Sequence, residues 1–243
     1  MKRDDFYERT EVIHEVVEAK RSELCFNLIN DLIAKENEND HQLKKKILDV
    51  GCGDGSFIKK FEKCCEVFGV DVSSRAVKIA EEAGITAYAV DVSREKLPFE
   101  NEWFDIIYMG DVLEHLVNPD FAINEVARTL KPNGSLVLST PNLASWLNRL
   151  LLLLGIQPLF SEVSTLKNFG KFGRADSFPV GHLRLFTCEA LKKFLIYHQF
   201  KMVKVEGTTN DDLPGFLDDI DRIFSRIPSL SSIVIVIASR MQT

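Results

Sequence analysis

"ILDVGCGDGSF", Ile47–Phe57, holds the decisive feature of this 243-residue chain: an apolar run that breaks into three glycines with two aspartates among them. Ile47, Leu48 and Val50 read as a buried strand. Gly51, Gly53 and Gly55 then remove side chains where the backbone must turn and where something comes close to it. Working outward, "EVFGVDV" (Glu66–Val72), "ITAYAVDV" (Ile85–Val92), "WFDIIYMG" (Trp103–Gly110) and "SLVLSTP" (Ser135–Pro141) read as four further strands. Between them, "SFIKKFEKCC" suits a helix, "SSRAVKIAEEAG" opens on capping serines and stops at Gly84, and "NPDFAINEVARTLKPNG" has the start, period and Pro-Gly stop of another helix. Two late strands, "FKMVKVEG" and "SSIVIVIASR", are expected at an antiparallel edge. This alternation predicts an α/β fold: a Rossmann-like, doubly wound, mostly parallel seven-stranded sheet with an N-terminal helix and a helical or irregular cap insertion.

The chain divides accordingly into one domain over 1–243, with a helical segment at 8–35, a core at 46–140, a cap or lid at 141–185 and C-terminal sheet elements at 186–243. "WLNRLLLLLGIQPLF" (Trp146–Phe160) is strongly apolar, yet Asn148, Arg149, Gly155 and Pro158 interrupt it before the roughly 20 residues a bilayer span requires. A buried cap helix is expected; lining an apolar substrate's site and peripheral contact with a membrane surface stay open. In the same insertion, Gly170, Gly173 and Gly181 alternate with Phe169, Phe172 and Phe178, which suits a segment that folds over an acceptor. The stretch "DDLPGFLDDIDRIFSRIP" reads as irregular.

A formal charge of -6 disfavours nucleic acid and leaves a small molecule as the expected partner. Five cysteines without CxxC spacing predict reduced thiols in a cytoplasmic protein, and no signal peptide is recognisable. No HxxxH or Cys/His cluster points to a metal. Oligomeric state is not legible.

In doubly wound sheets, ligands lie beyond the carboxyl ends of the strands. The early strands here run into Asp49 and the glycine turn, Asp71, Asp91 and Asp111. Asp71 stands twenty residues after Gly51, where an acid that accepts from ribose is expected, and Asp91 stands twenty further on. The turn is G-x-G-x-G rather than G-x-G-x-x-G, and Asp49 and Asp54 flank it. A pyrophosphate would meet carboxylates there; a cationic cofactor would be favoured. An NAD-dependent oxidoreductase is thus the weaker alternative.

Together these stretches resemble the class I S-adenosylmethionine-dependent methyltransferases. "ILDVGCGDGSF" is similar to that family's glycine-rich first motif, "VFGVDVS" to its acidic second-strand motif and "AVDVSREKLPF" to its adenine-binding stretch. "FDIIYMGDVLEHL" and "LKPNGSLVLSTPN" are similar to its fourth- and fifth-strand motifs. The "LEH" and "STPN" signatures resemble most the small-molecule O-methyltransferases of ubiquinone biosynthesis. The resemblance implies S-adenosyl-L-methionine as cofactor and methyl transfer to a small, apolar or aromatic acceptor, with oxygen as the expected nucleophile. A non-catalytic protein that binds the same cofactor is the alternative. It further implies that Gly51, Gly53 and Gly55 admit the methionine moiety and Asp49 helps hold its amino end. Asp71 would accept from ribose, Val72 would pack on adenine, Asp91 and Val92 would read the adenine edge, and Gly110 and Asp111 would close the site near the sulfonium. Arg21 reads as a solvated helix-face residue, or else as one that reaches the cofactor carboxylate.

Methyl transfer asks chiefly for alignment and exclusion of water, and for a base where the acceptor is a hydroxyl. His115, after the fourth strand, and His182, where the insertion closes, are the candidate catalytic residues. Each also has a structural reading: His115 as a loop anchor, and His182 in a cap anchor with Arg184 paired to an acid. His14, His41 and His198 stand in helical or linker contexts that suggest exposure and no role.

Overall fold

The computed structural model describes residues 19–37, 44–172, 179–210, 213 and 215–242. The first part of the expected N-terminal helix, the polar run at 38–43, His14, His41, Gly173 and Phe178 lie outside the described residues.

Seven strands, β1 (Lys45–Val50), β2 (Cys65–Asp71), β3 (Thr86–Ala89), β4 (Phe104–Gly110), β5 (Leu130–Pro141), β6 (Phe200–Thr208) and β7 (Ile233–Arg240), form one sheet in the order β3-β2-β1-β4-β5-β7-β6. β3, β2, β1, β4 and β5 are parallel, and β7 is antiparallel to both of its neighbours. The last strand in sequence is therefore interior, and β6 takes the edge.

Side chains alternate across each strand, so a sheet covered on both faces needs near-continuous apolar runs. Leu48, Val50, Ile107, Met109, Leu136 and Leu138 enter one core, where α3 (Pro119–Thr129) and α5 (Cys188–Tyr197) contribute Ala122, Ile123, Val126, Leu191 and Leu195. Ile47, Ile106, Tyr108, Val137 and Ile235 enter the other, against α1 (Ala19–Asn37) and α2 (Ser74–Glu82), which supply Cys25, Leu28, Ile29, Val77 and Ala80. The helix starts follow their caps: Ser73 accepts from the Ala76 N–H, Asn118 from Phe121 and Thr187 from Ala190.

Three local expectations are corrected. "SFIKKFEKCC" makes a single 3-10 turn, Ile58–Phe61, because β2 already begins at Cys65 and leaves no length for an α-helix. The aspartate-rich stretch near the C-terminus contains a helix, α6 (Phe216–Phe224). Its Leu217, Ile220 and Phe224 pack on Trp146, Leu147 and Leu151 of α4 (Trp146–Leu153), a helical period that the acidic residues obscure. His198 is buried rather than exposed, with Asn124 and Asp120 against its two ring nitrogens.

α4 buries one side only: Leu153 and Leu154, at the end of the run, are 82% and 71% exposed. Among the described residues, no helix is long and apolar enough to cross a membrane.

Candidate active site

The glycine turn and the end of β2 are tied together by backbone hydrogen bonds. Gly51 and Cys52 donate to the Val70 carbonyl at 2.7 and 3.1 Å. Asp71 then completes the tie: its Oδ2 accepts from the Gly53 N–H at 2.9 Å and its Oδ1 from the Ser73 N–H at 2.9 Å. A carboxylate held by two N–H groups is fixed in direction while each oxygen keeps acceptor capacity.

The three glycines have different physical reasons. A Cβ on Gly51 would stand 2.3 Å from a Val112 methyl, and one on Gly55 2.2 Å from the Ile85 side chain, so both positions serve the chain's own close packing. Gly53, at φ 53°, has nothing within 4 Å of the place its Cβ would take, so there the backbone faces open space.

Around that space the charge is negative. The Cys52 thiol is pushed up by burial first and then by the carboxylates of Asp49, Asp71 and Asp54. Asp49 itself is buried on β1. Asp91, two residues beyond β3, accepts from the Ser93 N–H at 3.0 Å. Val72 is 38% exposed beside Asp71, whereas Val92 packs against the core.

At the end of β4 the arrangement departs from expectation. Arg21, read from sequence as solvated, is 4% exposed: its Nε stands 3.0 Å from Asp111 Oδ2, and its Nη1 donates to Tyr108 Oη and Ser139 Oγ. A Cβ on Gly110 would fall 2.1 Å from Tyr108 Oη and 2.7 Å from Arg21 Nη1, so glycine makes room for this group. Asp111, at φ 52°, also accepts from Ser139 Oγ. Arg21 was hard to place from sequence because its exposure depends on what α1 packs against.

One turn further, the 3-10 segment Leu113–His115 carries Glu114 and His115. Glu114 is fully buried; Oε2 accepts from Thr140 Oγ1 at 3.0 Å and Oε1 has no hydrogen-bond partner. Burial, and then the charge of Asp111, holds its carboxyl well above the usual carboxylate range. His182 meets this pair from the cap, its ring centroid 4.7 Å from that of His115. His115 Nδ1 lies 3.2 Å from the Gly181 carbonyl and His182 Nδ1 lies 2.9 Å from the Phe160 carbonyl. A carbonyl only accepts, so both Nδ1 atoms carry the proton and both lone pairs sit on Nε2. The two candidate histidines are thus brought together, with one ligand atom each from Glu114, His115 and His182 within 4.8 Å of one another. Sequence reading missed this cluster because Glu114 was not singled out and His182 belongs to a distant segment.

The cap is seated by its backbone. Leu183 and Arg184 N–H groups donate to the Glu114 carbonyl at 2.8 and 3.1 Å, and Glu162 accepts from the N–H groups of Val180, Gly181 and His182. Arg184 donates to the Leu116 carbonyl, where a carboxylate partner had been the expectation. A cleft of about 210 Å³ opens beside His182, lined by Leu143, Ser161, Glu162, Leu183, Arg184 and Leu185.

Known proteins resemble this chain. A family model described as "Methyltransferase domain" matches residues 17–205. The chain is 35% identical over 124 residues to a protein of Methanocaldococcus jannaschii named only as uncharacterized, covering 50% of this chain and 58% of that one. It is 32% identical over 123 residues to a ubiquinone biosynthesis O-methyltransferase of Idiomarina loihiensis, covering 46% and 49%. The chain thus spans about half the length of these curated relatives. A crystal structure from Thermotoga maritima, described as an S-adenosylmethionine-dependent methyltransferase and possible histamine N-methyltransferase, superposes with a TM-score of 0.59 at 19% identity, over 97% of this chain and 98% of that one. With its parallel sheet, glycine turn and acidic strand ends, the chain belongs to the methyltransferase domain family and has the class I methyltransferase fold.

Proposed function

We propose that the enzyme methylates an oxygen of a small, apolar or aromatic acceptor, and that His182 and His115 are its catalytic pair. The observation that carries this reading is the adjacent, mutually tilted pair of imidazoles beyond the end of β4, each held by a backbone carbonyl in the tautomer that presents Nε2. The name of the Idiomarina loihiensis relative supports oxygen as the nucleophile.

The residues present fit the cofactor. Open space faces Gly53, the surrounding carboxylates favour a positively charged ligand, and Asp71 and Asp91 offer acceptors along one rim. Asp71 would hold the ribose hydroxyls, with Val72 against adenine and Asp91 and Val92 at its edge. Asp49, with the turn of Gly51, Gly53 and Gly55, would hold the methionine end, and Gly110 and Asp111 would close that end of the site. Bound there, S-adenosylmethionine supplies a methyl group on a positively charged sulfur whose leaving group is a neutral thioether.

The chain's own contribution is placement and dryness. The cap closes over the strand ends through Leu183 and Arg184, which excludes water, and the acceptor enters the cleft beside His182. His182 and His115 present lone pairs to its hydroxyl. A cytoplasmic setting belongs to this reading, supported by five cysteines that are all free thiols.

The test is turnover of labelled S-adenosylmethionine against a panel of phenols, quinol precursors, fatty acids, amines and thiols. An oxygen acceptor is expected, with His182→Ala lowering turnover about 10²- to 10⁴-fold and leaving cofactor affinity unchanged. Full turnover by His182→Ala on the true acceptor removes the histidine from catalysis.

A further inference from the structure

The Glu114–His115–His182 cluster has features that acceptor binding alone does not require. Glu114 is entirely buried, its Oε1 lacks a hydrogen-bond partner, and one of its carboxylate oxygens lies within 4.8 Å of a ring nitrogen of each histidine. A buried carboxylate oxygen without a donor is costly. The neighbouring guanidinium, Arg21, is engaged by Asp111. Each histidine donates its Nδ1 proton to a main-chain carbonyl, Gly181 for His115 and Phe160 for His182, which is the outer-shell arrangement that orients an imidazole to ligate through Nε2.

We propose that Glu114, His115 and His182 form a binding site for a divalent transition cation, zinc above all, that latches the cap to the end of β4 and leaves a coordination position open toward the cleft. Two imidazoles and one carboxylate match the donor set of zinc sites that keep a fourth position for water or substrate. Magnesium and calcium prefer oxygen donors throughout and fit this set poorly. Ligands at about 2.0–2.2 Å from a tetrahedral ion stand about 3.4 Å apart. One candidate ligand atom of each residue lies within 4.8 Å of the others, so side-chain rotation must draw them in by up to about 1.4 Å on binding.

The site ties together two segments with different origins. Glu114 and His115 follow β4 in the cofactor core, whereas His182 belongs to the cap. Cation binding therefore couples cap seating to formation of the acceptor's site. As a statement about chemistry, this rests on the oxygen-acceptor reading above: the open position would take the acceptor's oxygen and lower its pKa, so that its proton is lost to solvent water on binding and no lone pair of His182, which would ligate the cation, is needed as base.

The experiment is calorimetric titration of chelator-treated protein with zinc chloride, with cobalt(II) chloride as a spectroscopic substitute. About one ion per chain is expected, with visible d–d absorption from bound cobalt. His182→Ala should weaken zinc binding about tenfold or more and abolish the cobalt spectrum, and Glu114→Gln should weaken it likewise. S-adenosylhomocysteine titration of the same variants reports whether the core is intact; His182 lies outside it, so His182→Ala keeps the test decisive if Glu114→Gln does not fold. Zinc should also slow amide exchange at 179–184 in the wild-type protein.

Absence of zinc binding at tenfold excess overturns the site. So does equal binding by wild type and His182→Ala, which would place the ion elsewhere on the chain. The site and the oxygen-acceptor reading fail separately. Zinc binding with an amine as the true acceptor leaves the site standing, and methylation of a hydroxyl by protein that binds no zinc removes the site alone.

Discussion

At the glycine turn, Asp71 gathers N–H groups from Gly53 and Ser73, both supplied by loops that leave adjacent strands; at the cap, Glu114, His115 and His182 meet only because two remote segments dock. The first arrangement follows from register. β1 and β2 pair in parallel with Asp49 opposite Gly69 and Val50 opposite Val70, so the turn after one must lie beside the end of the other. The second depends on a main-chain seat, Leu183 and Arg184 on the Glu114 carbonyl, with Glu162 gathering three N–H groups behind it. The first region is thus built by the sheet and the second by packing onto it.

The sharpest way to separate the two regions is to loosen the support of the cap. Asp221, fully buried on α6, accepts from Trp146 Nε1 at 2.6 Å, Ser232 Oγ at 2.7 Å and the Asn210 N–H at 2.7 Å. Asp221→Ala strands three buried donors and is expected to cost about 3 kcal/mol or more in urea unfolding, given 1–3 kcal/mol for each stranded group. If the regions are independent, S-adenosylhomocysteine affinity stays near wild type. Affinity that falls in step with stability would show one cooperative unit and break the comparison.

The reciprocal change is Asp71→Ala. Losing charge-assisted hydrogen bonds to the ribose should cost about 1.5–3 kcal/mol of binding, or roughly ten- to a hundredfold in Kd, while amide exchange at the cap is unaltered. An unchanged Kd by calorimetry would take Asp71 out of the site.

Gly53→Ala probes the open space more gently. Its left-handed conformation costs about 1 kcal/mol with an added Cβ, and no neighbour opposes the methyl. Stability by urea titration should fall by about that much, and cofactor affinity by more. Unchanged affinity would mean that the methyl meets nothing when cofactor is bound.

The smallest effect is expected from acid. Burial pushes the Glu125 carboxyl up, but hydrogen bonds from Arg128 and the Leu97 N–H outweigh it and hold the group below its ordinary value. Glu125 and Arg128 pin the loop that follows Asp91, through the carbonyls of Leu97 and Phe99. The folded pKa is depressed, so this stabilisation is present above about pH 4 and disappears as pH falls through the folded value. Thermal midpoints between pH 2.5 and 5 should show a shallower acid loss in Glu125→Gln than in wild type; parallel curves would deny the residue this role.

The sequence by itself determined the strands of the sheet and the glycine turn. Apolar runs marked the strands, the G-x-G-x-G spacing placed the turn, and carboxylates stood at successive strand ends, because strand and turn signals act over a few residues. Tertiary structure decided the remainder. Arg21 became a buried partner of Asp111 only when α1 lay against β4 and β5, and β7 entered the sheet between β5 and β6 rather than at its edge. His182 reaches His115 only through the packing of the segment at 179–184 against the 3-10 turn. Such contacts join segments whose approach is set by the summed packing of the whole chain, and no local pattern encodes that sum.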